Sequence, residues 1–300
     1  MKTPYIFLIF CFYIGYSQTY VVVDSQTKES LSFATIVFDD MEGVYTNENG
    51  KFQLDNKYKS VKISYLGYED FTTKIENLKD TIFLNPITYT IDEITITNNK
   101  IPLEKIGYLK KGKSGKIIGS FPIRPKGELI INIIPNTEHT DSYIEKIEFP
   151  LNKIKNYNKT DKLYKNAPAV VRINIYTFEK EKIFSSKPIK FIMSDKEIVS
   201  VDVSEEMIQL SEKGLYFGIE MIGRINENGE FVEENSYARP LLTNQISKDY
   251  KAVTYSTENS ILKEKEYYPI NNINQHLSRD IKNYKYQDYN LAIGLIIRKQ

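Results

Sequence analysis

The eight residues Gly107-Tyr108-Leu109-Lys110-Lys111-Gly112-Lys113-Ser114 satisfy the spacing of a phosphate-binding loop, in which backbone amides and a lysine cradle the phosphates of a nucleotide. That chemistry needs a buried strand before the loop and, after it, a helix whose N-terminal amides face the anion. Pro102-Leu103-Glu104-Lys105-Ile106 is a weak strand and Gly115-Lys116-Ile117-Ile118-Gly119 reads as loop or strand, so the match is one of spacing alone. Other constellations are thinner. Paired carboxylates drive hydrolysis when held at a set separation, but Glu205-Glu206 and Glu233-Glu234 are neighbours in polar segments with no reason to point together. His139 and His276 are the only histidines, and His139-Thr140-Asp141 lacks the spacing of a metal site. Ser120, Asp141 and His276 have no nucleophile elbow around the serine. No catalytic, metal or cofactor-binding residue is expected.

Binding is better supplied. The chain holds 23 Tyr and 15 Phe but no Trp, and tyrosines at strand or loop ends offer a flat apolar face with a polar tip. Tyr65 and Tyr68 flank a glycine in this way, and Tyr216, Tyr267 and Tyr268 are further candidates for a ligand face. Lys110, Lys111 and Lys113 make a local basic patch suited to an acidic membrane surface or a polyanionic glycan.

The elements that would position these residues are strands. Tyr20-Val21-Val22-Val23, Ala34-Thr35-Ile36-Val37-Phe38, Val44-Tyr45-Thr46, Lys51-Phe52-Gln53-Leu54, Val61-Lys62-Ile63-Ser64-Tyr65, Phe71-Thr72-Thr73-Lys74-Ile75 and Thr81-Ile82-Phe83-Leu84 are short β-prone runs. Turn residues part them, including Asn49-Gly50 and a glycine at 67 expected at positive φ. From residue 116 onward longer runs follow, at 117–121, 128–134, 143–149, 170–176, 198–203, 215–222 and 290–297, with prolines between them. Val171, Ile173 and Ile175 alternate with Arg172, Asn174 and Tyr176, which predicts one face in a core and the other toward solvent. Ser204 is the expected cap of a short helix through Glu205-Glu206, and 271–284 is a second helical or irregular candidate. The chain is read as all-β: a small sandwich over 18–98, a basic Gly/Lys linker over 99–115, and a larger jelly-roll-like β-sandwich over 116–300.

Residues 1–17 read as a signal peptide, with Lys2, an apolar stretch from Tyr5 to Tyr16, and small Gly15 and Ser17 before a cleavage point at Gln18. Removing it takes away Cys11, the single cysteine, so no disulfide is expected. No later run is apolar enough for a spanning helix. With 40 Lys plus Arg against 39 Asp plus Glu, the net charge of +1 gives no footprint for a nucleic-acid partner. The expectation is an exported protein, periplasmic, outer-membrane-associated or secreted, with peripheral membrane contact open to it.

Val23-Asp24 through Leu31, Phe33-Ala34-Thr35-Ile36, Tyr45-Thr46-Asn47-Glu48-Asn49-Gly50-Lys51-Phe52 and Ile63-Ser64-Tyr65-Leu66-Gly67-Tyr68 occur in the order seen in the carboxypeptidase regulatory-like domain, which residues 18–98 resemble. The version most similar to them is found in exported proteins of Bacteroidetes. The resemblance implies a transthyretin-like β-sandwich without a catalytic role. Beyond residue 98 too little chain remains, with the wrong composition, for the plug and barrel of the transporters that carry such a domain. Segments at 171–176 and 214–220 resemble, more loosely, β-sandwiches appended to such domains. The function expected is a non-catalytic binding or assembly protein of the bacterial envelope, with an envelope protein or a glycan as partner. The alternatives are a carbohydrate-binding accessory module and an unrecognised hydrolase.

Overall fold

A computed structural model describes residues 18–54, 57–87, 102–107, 117–121, 123–152, 168–191, 198–235, 239–243, 248–258, 260, 266–270 and 290–299. The first unit contains β1 (Gln18–Asp24), β2 (Thr35–Phe38), β3 (Glu42–Tyr45), β4 (Lys51–Leu54), β5 (Ser60–Ser64), β6 (Phe71–Lys74) and β7 (Thr81–Leu84). One sheet runs β4-β1-β7 and the other β3-β2-β5-β6. Alternation along β2, β5 and β7 sends Ile36, Ile63 and Leu84 into one shared core, which Val22 of the more fully buried β1 also enters. Gly50 takes φ +69° where it faces the Val22 carbonyl, and Gly67 takes the expected positive φ, +84°, in open space.

The second unit is larger. It contains β8 (Leu103–Gly107), β9 (Ile117–Ser120), β10 (Glu128–Pro135), β11 (Tyr143–Asn152), β12 (Ala169–Tyr176), β13 (Lys182–Ser185), β14 (Ile189–Phe191) and β15 (Ile198–Asp202). It continues with β16 (Leu215–Ile225), β17 (Phe231–Val232), β18 (Arg239–Thr243), β19 (Tyr250–Thr257), β20 (Tyr268–Pro269), β21 (Asn290–Leu291) and β22 (Gly294–Arg298). One sheet follows the order β13-β12-β16-β10-β19-β20, with β14 on β12 and β17 on β16. The other follows β21-β18-β11-β22-β8, with β15 on β11 and β9 on β18. Leu129, Ile131, Ile173, Phe217 and Ile219 of the first sheet and Ile147, Phe149, Leu295 and Ile297 of the second belong to a single buried cluster, so the two sheets form a sandwich. The molecule is nearly all β, as its patterning predicts.

Several local readings are corrected. The segment read as a linker over 99–115 contains a strand, because β8 pairs along its whole length with β22 and its Ile106 enters the large core. Pro150 and Pro240 lie inside strands. Pro150 sits where β11 leaves β22 after Glu148 and meets β18 from Leu151, a junction that tolerates a residue with no N–H. Ser204 opens a 3₁₀ turn, Ser204–Glu206, with Val203 in the cap position and no side-chain cap. The candidate over 271–284 lies outside the described residues. The polar face of β12 does not meet solvent, since every residue of that strand is buried.

Phe217 has no exposed surface and lies at the centre of the larger core. Phe217→Ala is expected to destabilise the second unit by about 3–5 kcal/mol, read as a lower urea midpoint at unchanged slope.

Candidate functional site

The buried polar face of β12 is the key to the molecule's chemistry. Strand register aligns side chains of the same face into rows across the sheet. Arg172 lies opposite Glu220, and Glu220 lies opposite Glu128. In the adjoining row Asn174 faces Gly218, which in turn faces Ile130. Two carboxylates are thus directly opposed on neighbouring strands, each with 1% of its surface exposed. Gly218 makes this arrangement possible, because a Cβ there would occupy the space of the Glu128 carboxylate. This is a packing requirement on the glycine.

Every carboxylate oxygen of the pair has a protein donor. Asn174 Nδ2 donates to Glu128 Oε1 at 2.8 Å and to Glu220 Oε2 at 3.0 Å, bridging the two. The Tyr176 hydroxyl lies 2.9 and 2.7 Å from the two oxygens of Glu128. Ser260 donates to Glu220 Oε1 at 2.6 Å, and the Tyr45 hydroxyl of the first unit donates to the same oxygen. Arg172 Nη1 stands 3.8 Å from Glu220, while its Nη2 donates at 2.7 Å to the carbonyl of Phe33, also in the first unit. The polar row therefore joins the two units.

An apolar rim surrounds this centre. A bulge in β16 shifts the register between Val170 and Val171, and Ile222 and Ile225 then join Val170 against Phe33 and Tyr45. Phe33 meets Phe231 edge-on at 5.0 Å, and Lys190 pairs with Glu48 across the boundary at 2.6 Å. Burial alone raises the Glu220 pKa, but the charges of Lys182 and Arg172 and the hydroxyls of Ser260 and Tyr45 outweigh it and hold the group well below the usual carboxylate range. Burial, then the Glu220 charge, pushes the Tyr45 hydroxyl far up. An ionised glutamate beneath a protonated tyrosine is a strong, charge-assisted contact. The arrangement can fasten one unit to the other, because each carboxylate oxygen meets at least one protein donor and the bonds from Tyr45 to Glu220 and from Arg172 to the Phe33 carbonyl cross between the units.

The residues singled out from sequence separate into groups. Tyr65 and Tyr68 meet edge-on at 5.5 Å, and the Tyr68 hydroxyl donates to Asp24 at 2.6 Å, its own pKa pushed up to about 12 by burial and by that carboxylate. Both line a cleft of about 2030 Å³ between the units, which Arg172, Tyr176, Glu220 and Ser260 also line. Tyr216 is 9% exposed and packs with Tyr176 over Ile130, so it fills a satellite core. Tyr255 links it to Tyr267, each ring pair 6.3 Å apart. Burial and the Glu128 charge push Tyr267 up to about 12. Tyr268 is 45% exposed, with its hydroxyl on Glu266. Lys110, Lys111 and Lys113 lie outside the described residues, as does His276.

The other constellations disperse. The Gly107 amide faces Asp249 Oδ2 at 3.3 Å, a carboxylate where a phosphate loop would present an open amide. Glu233 pairs with Lys126 at 2.7 Å while Glu234 pairs with Arg224, so these neighbours do point apart. His139 is buried near Glu138, Asp249 and Glu104 at 3.4–3.9 Å. Among the described residues no group of three or more His, Cys, Asp or Glu is arranged to hold a metal ion. Also among them, no helix is long and apolar enough to cross a membrane. Asp24 Oδ1 and Asn47 Oδ1 accept from the amides of their own turns, and Asp24 Oδ2 is held by the Tyr68 hydroxyl.

Tyr45→Phe removes one donor from a buried carboxylate and is expected to lower stability by about 1.5–3 kcal/mol, with trypsin cutting between the units sooner. Because folded Glu220 holds its proton less readily than the unfolded chain does, its contribution is complete above the ordinary glutamate value of 4.5 and declines as the pH falls through and below it. Melting curves from pH 7 down to pH 3 are expected to show a smaller acid loss in Glu220→Gln than in the parent protein.

No curated protein matches this chain. Among solved structures, a structure of the infectious bursal disease virus Gt strain aligns at 9% identity and a TM-score of 0.16, covering 93% of this chain and 62% of that one. A score that low carries no argument about fold or function. The first unit is different: residues 21–96 match the family described as the CarboxypepD_reg-like domain, a β-sandwich, over the stretch whose motifs resemble it in sequence.

Proposed function

We propose that this chain is a non-catalytic, exported binding or assembly protein of the bacterial cell envelope, in which a carboxypeptidase regulatory-like sandwich is fastened to a larger sandwich and the cleft between them receives the partner. The observation carrying this reading is the saturation of the Glu128 and Glu220 carboxylates by protein donors. A general acid or base must reach a substrate proton, directly or through one water. These two reach Asn174, Tyr176, Ser260 and a tyrosine of the neighbouring unit instead. Export rests on the signal-like residues 1–17, and a Bacteroidetes origin on the resemblance of residues 18–98.

The deep burial of Tyr176 and Tyr216 takes away most of the ring surface a sugar would stack on, which favours a protein partner over a glycan. Crosslinking and affinity recovery of the mature chain from native envelopes is expected to enrich one envelope protein. Recovery of polysaccharide alone would transfer the reading to a glycan-binding module. Turnover of peptide or glycan substrates that disappears in Glu128→Gln or Glu220→Gln would replace it with a hydrolase.

A further inference from the structure

Two turns carry the same four residues. Asn47-Glu48-Asn49-Gly50 and Asn226-Glu227-Asn228-Gly229 hold the chain's two Asn-Gly pairs, and they fold alike. In each, the first asparagine accepts through Oδ1 from the amides two and four residues on. Its carbonyl accepts from the glycine amide, at 3.0 Å in the first turn and 3.1 Å in the second. Both glycines take a positive φ, +69° and +80°, and both Asn49 and Asn228 are exposed. The turns differ in what surrounds the glycine. Gly50 is buried, its carbonyl accepts from the Val22 amide at 2.8 Å, and a Cβ on it would stand 2.7 Å from the Val22 carbonyl. Gly229 is exposed, and a Cβ on it would meet nothing within 4 Å.

We propose that Asn228-Gly229 is a site of self-modification, at which the Gly229 amide nitrogen attacks the Asn228 side chain, converts it to aspartate and isoaspartate, and so slackens the contact of Phe231 with the first unit. The nitrogen gives its proton to hydroxide and bonds to Cγ of Asn228. The Cγ–Nδ2 bond breaks, and Nδ2 takes a proton from water and leaves as ammonia. Water then opens the five-membered imide at one carbonyl or the other, which yields aspartate or routes the main chain through the side-chain carbon as isoaspartate. Nothing is oxidised or reduced. Attack needs the Asn-Gly peptide to rotate toward the side chain, a motion that glycine obstructs least because it has no Cβ. At Gly50 that rotation also breaks the bond to Val22 and presses the turn against β1, whereas at Gly229 it meets open space. The consequence travels through β17. The turn closes the hairpin in which Arg224 and Ile225 pair with Val232 and Phe231. The Phe231 ring meets Phe33 edge-on at 5.0 Å and covers Gly223, where a Cβ would come within 2.7 Å of it. Isoaspartate adds one carbon to the main chain of this turn and disturbs the pairing register that aims Phe231. Either product also adds a negative charge between Glu227 and Glu230. The inference stands independently of the binding reading.

The test ages the full mature chain in warm, mildly alkaline buffer and follows each asparagine by peptide mass spectrometry, in which conversion raises the mass by about one unit. Asn228 is expected to convert about tenfold or more faster than Asn49, the factor that one further net hydrogen bond at Gly50 supplies. In concentrated urea, where the surroundings of the two glycines no longer differ, the sites are expected to convert alike. Trypsin is expected to cut between the units sooner in the aged parent protein than in fresh material. Asn228→Gln, whose longer side chain would have to close a less favoured six-membered ring, is expected to keep its fresh cutting pattern through the same ageing. Equal rates in the folded chain, faster conversion at Asn49, or a ratio that persists in urea would each overturn the assignment of the site. Unchanged trypsin cutting after Asn228 has converted would overturn its link to the junction.

Discussion

Two carboxylates opposed on adjacent strands and cut off from water repel each other, and removing charge from water is costly unless each group is paired and hydrogen-bonded. The whole arrangement between the units can be read as the answer to that problem at Glu128 and Glu220. Gly218 gives up its side chain to make room for one carboxylate. Asn174 places a single amide between the two, and Arg172 brings positive charge. The last donor to Glu220 comes from a different part of the chain, since Tyr45 stands at the end of β3 in the first unit. Without that unit the carboxylate would lose a partner and Arg172 would lose the Phe33 carbonyl.

Polar and apolar contacts divide the labour in this junction. Phe33, Val170, Ile222, Ile225 and Phe231 exclude water but are tolerant of angle, as dispersion contacts are. The hydrogen bonds from Tyr45 and to Phe33 are directional, so they select one orientation of the first unit over others of similar buried area. The bulge in β16 is what lets both kinds of contact occupy one sheet face, because it turns Ile222 and Ile225 toward Phe33 while Glu220 keeps its place in the polar row.

Much of the fold is legible in sequence because it follows from period-two patterning with turn residues between strands. β5 reads correctly from Val61 and Ile63 alone. The alternation of Arg172, Asn174 and Tyr176 with Val171, Ile173 and Ile175 was visible too, but it reports only that two faces differ. Whether the polar face meets water or another unit depends on contacts more than 100 residues away in sequence, and the pairing of Glu220 with Tyr45 spans 175. A signal was present nonetheless: Glu128, Arg172 and Glu220 each interrupt a strand otherwise rich in Ile, Val, Leu and Phe, and three such charges have to be reconciled somewhere. β8 escaped reading for the opposite reason. Leu103-Glu104-Lys105-Ile106-Gly107 has little apolar character of its own and becomes a strand because β22 offers it an edge.

The closed centre and the open cleft are linked. An interface held only by apolar surface can slide and widen or narrow whatever lies beside it, whereas one pinned by buried, directional bonds holds its angle. Tyr45 and Arg172 do this pinning at the border of the cleft, since Arg172 and Glu220 are shared between the fastening and the cleft lining. The separation of the Tyr65-Tyr68 turn from the β13 edge is therefore set by the same bonds that satisfy the carboxylate pair. A polar core that gains little stability over a hydrophobic one can be retained for specificity, and here that specificity is one fixed spacing between the two units on either side of the cleft.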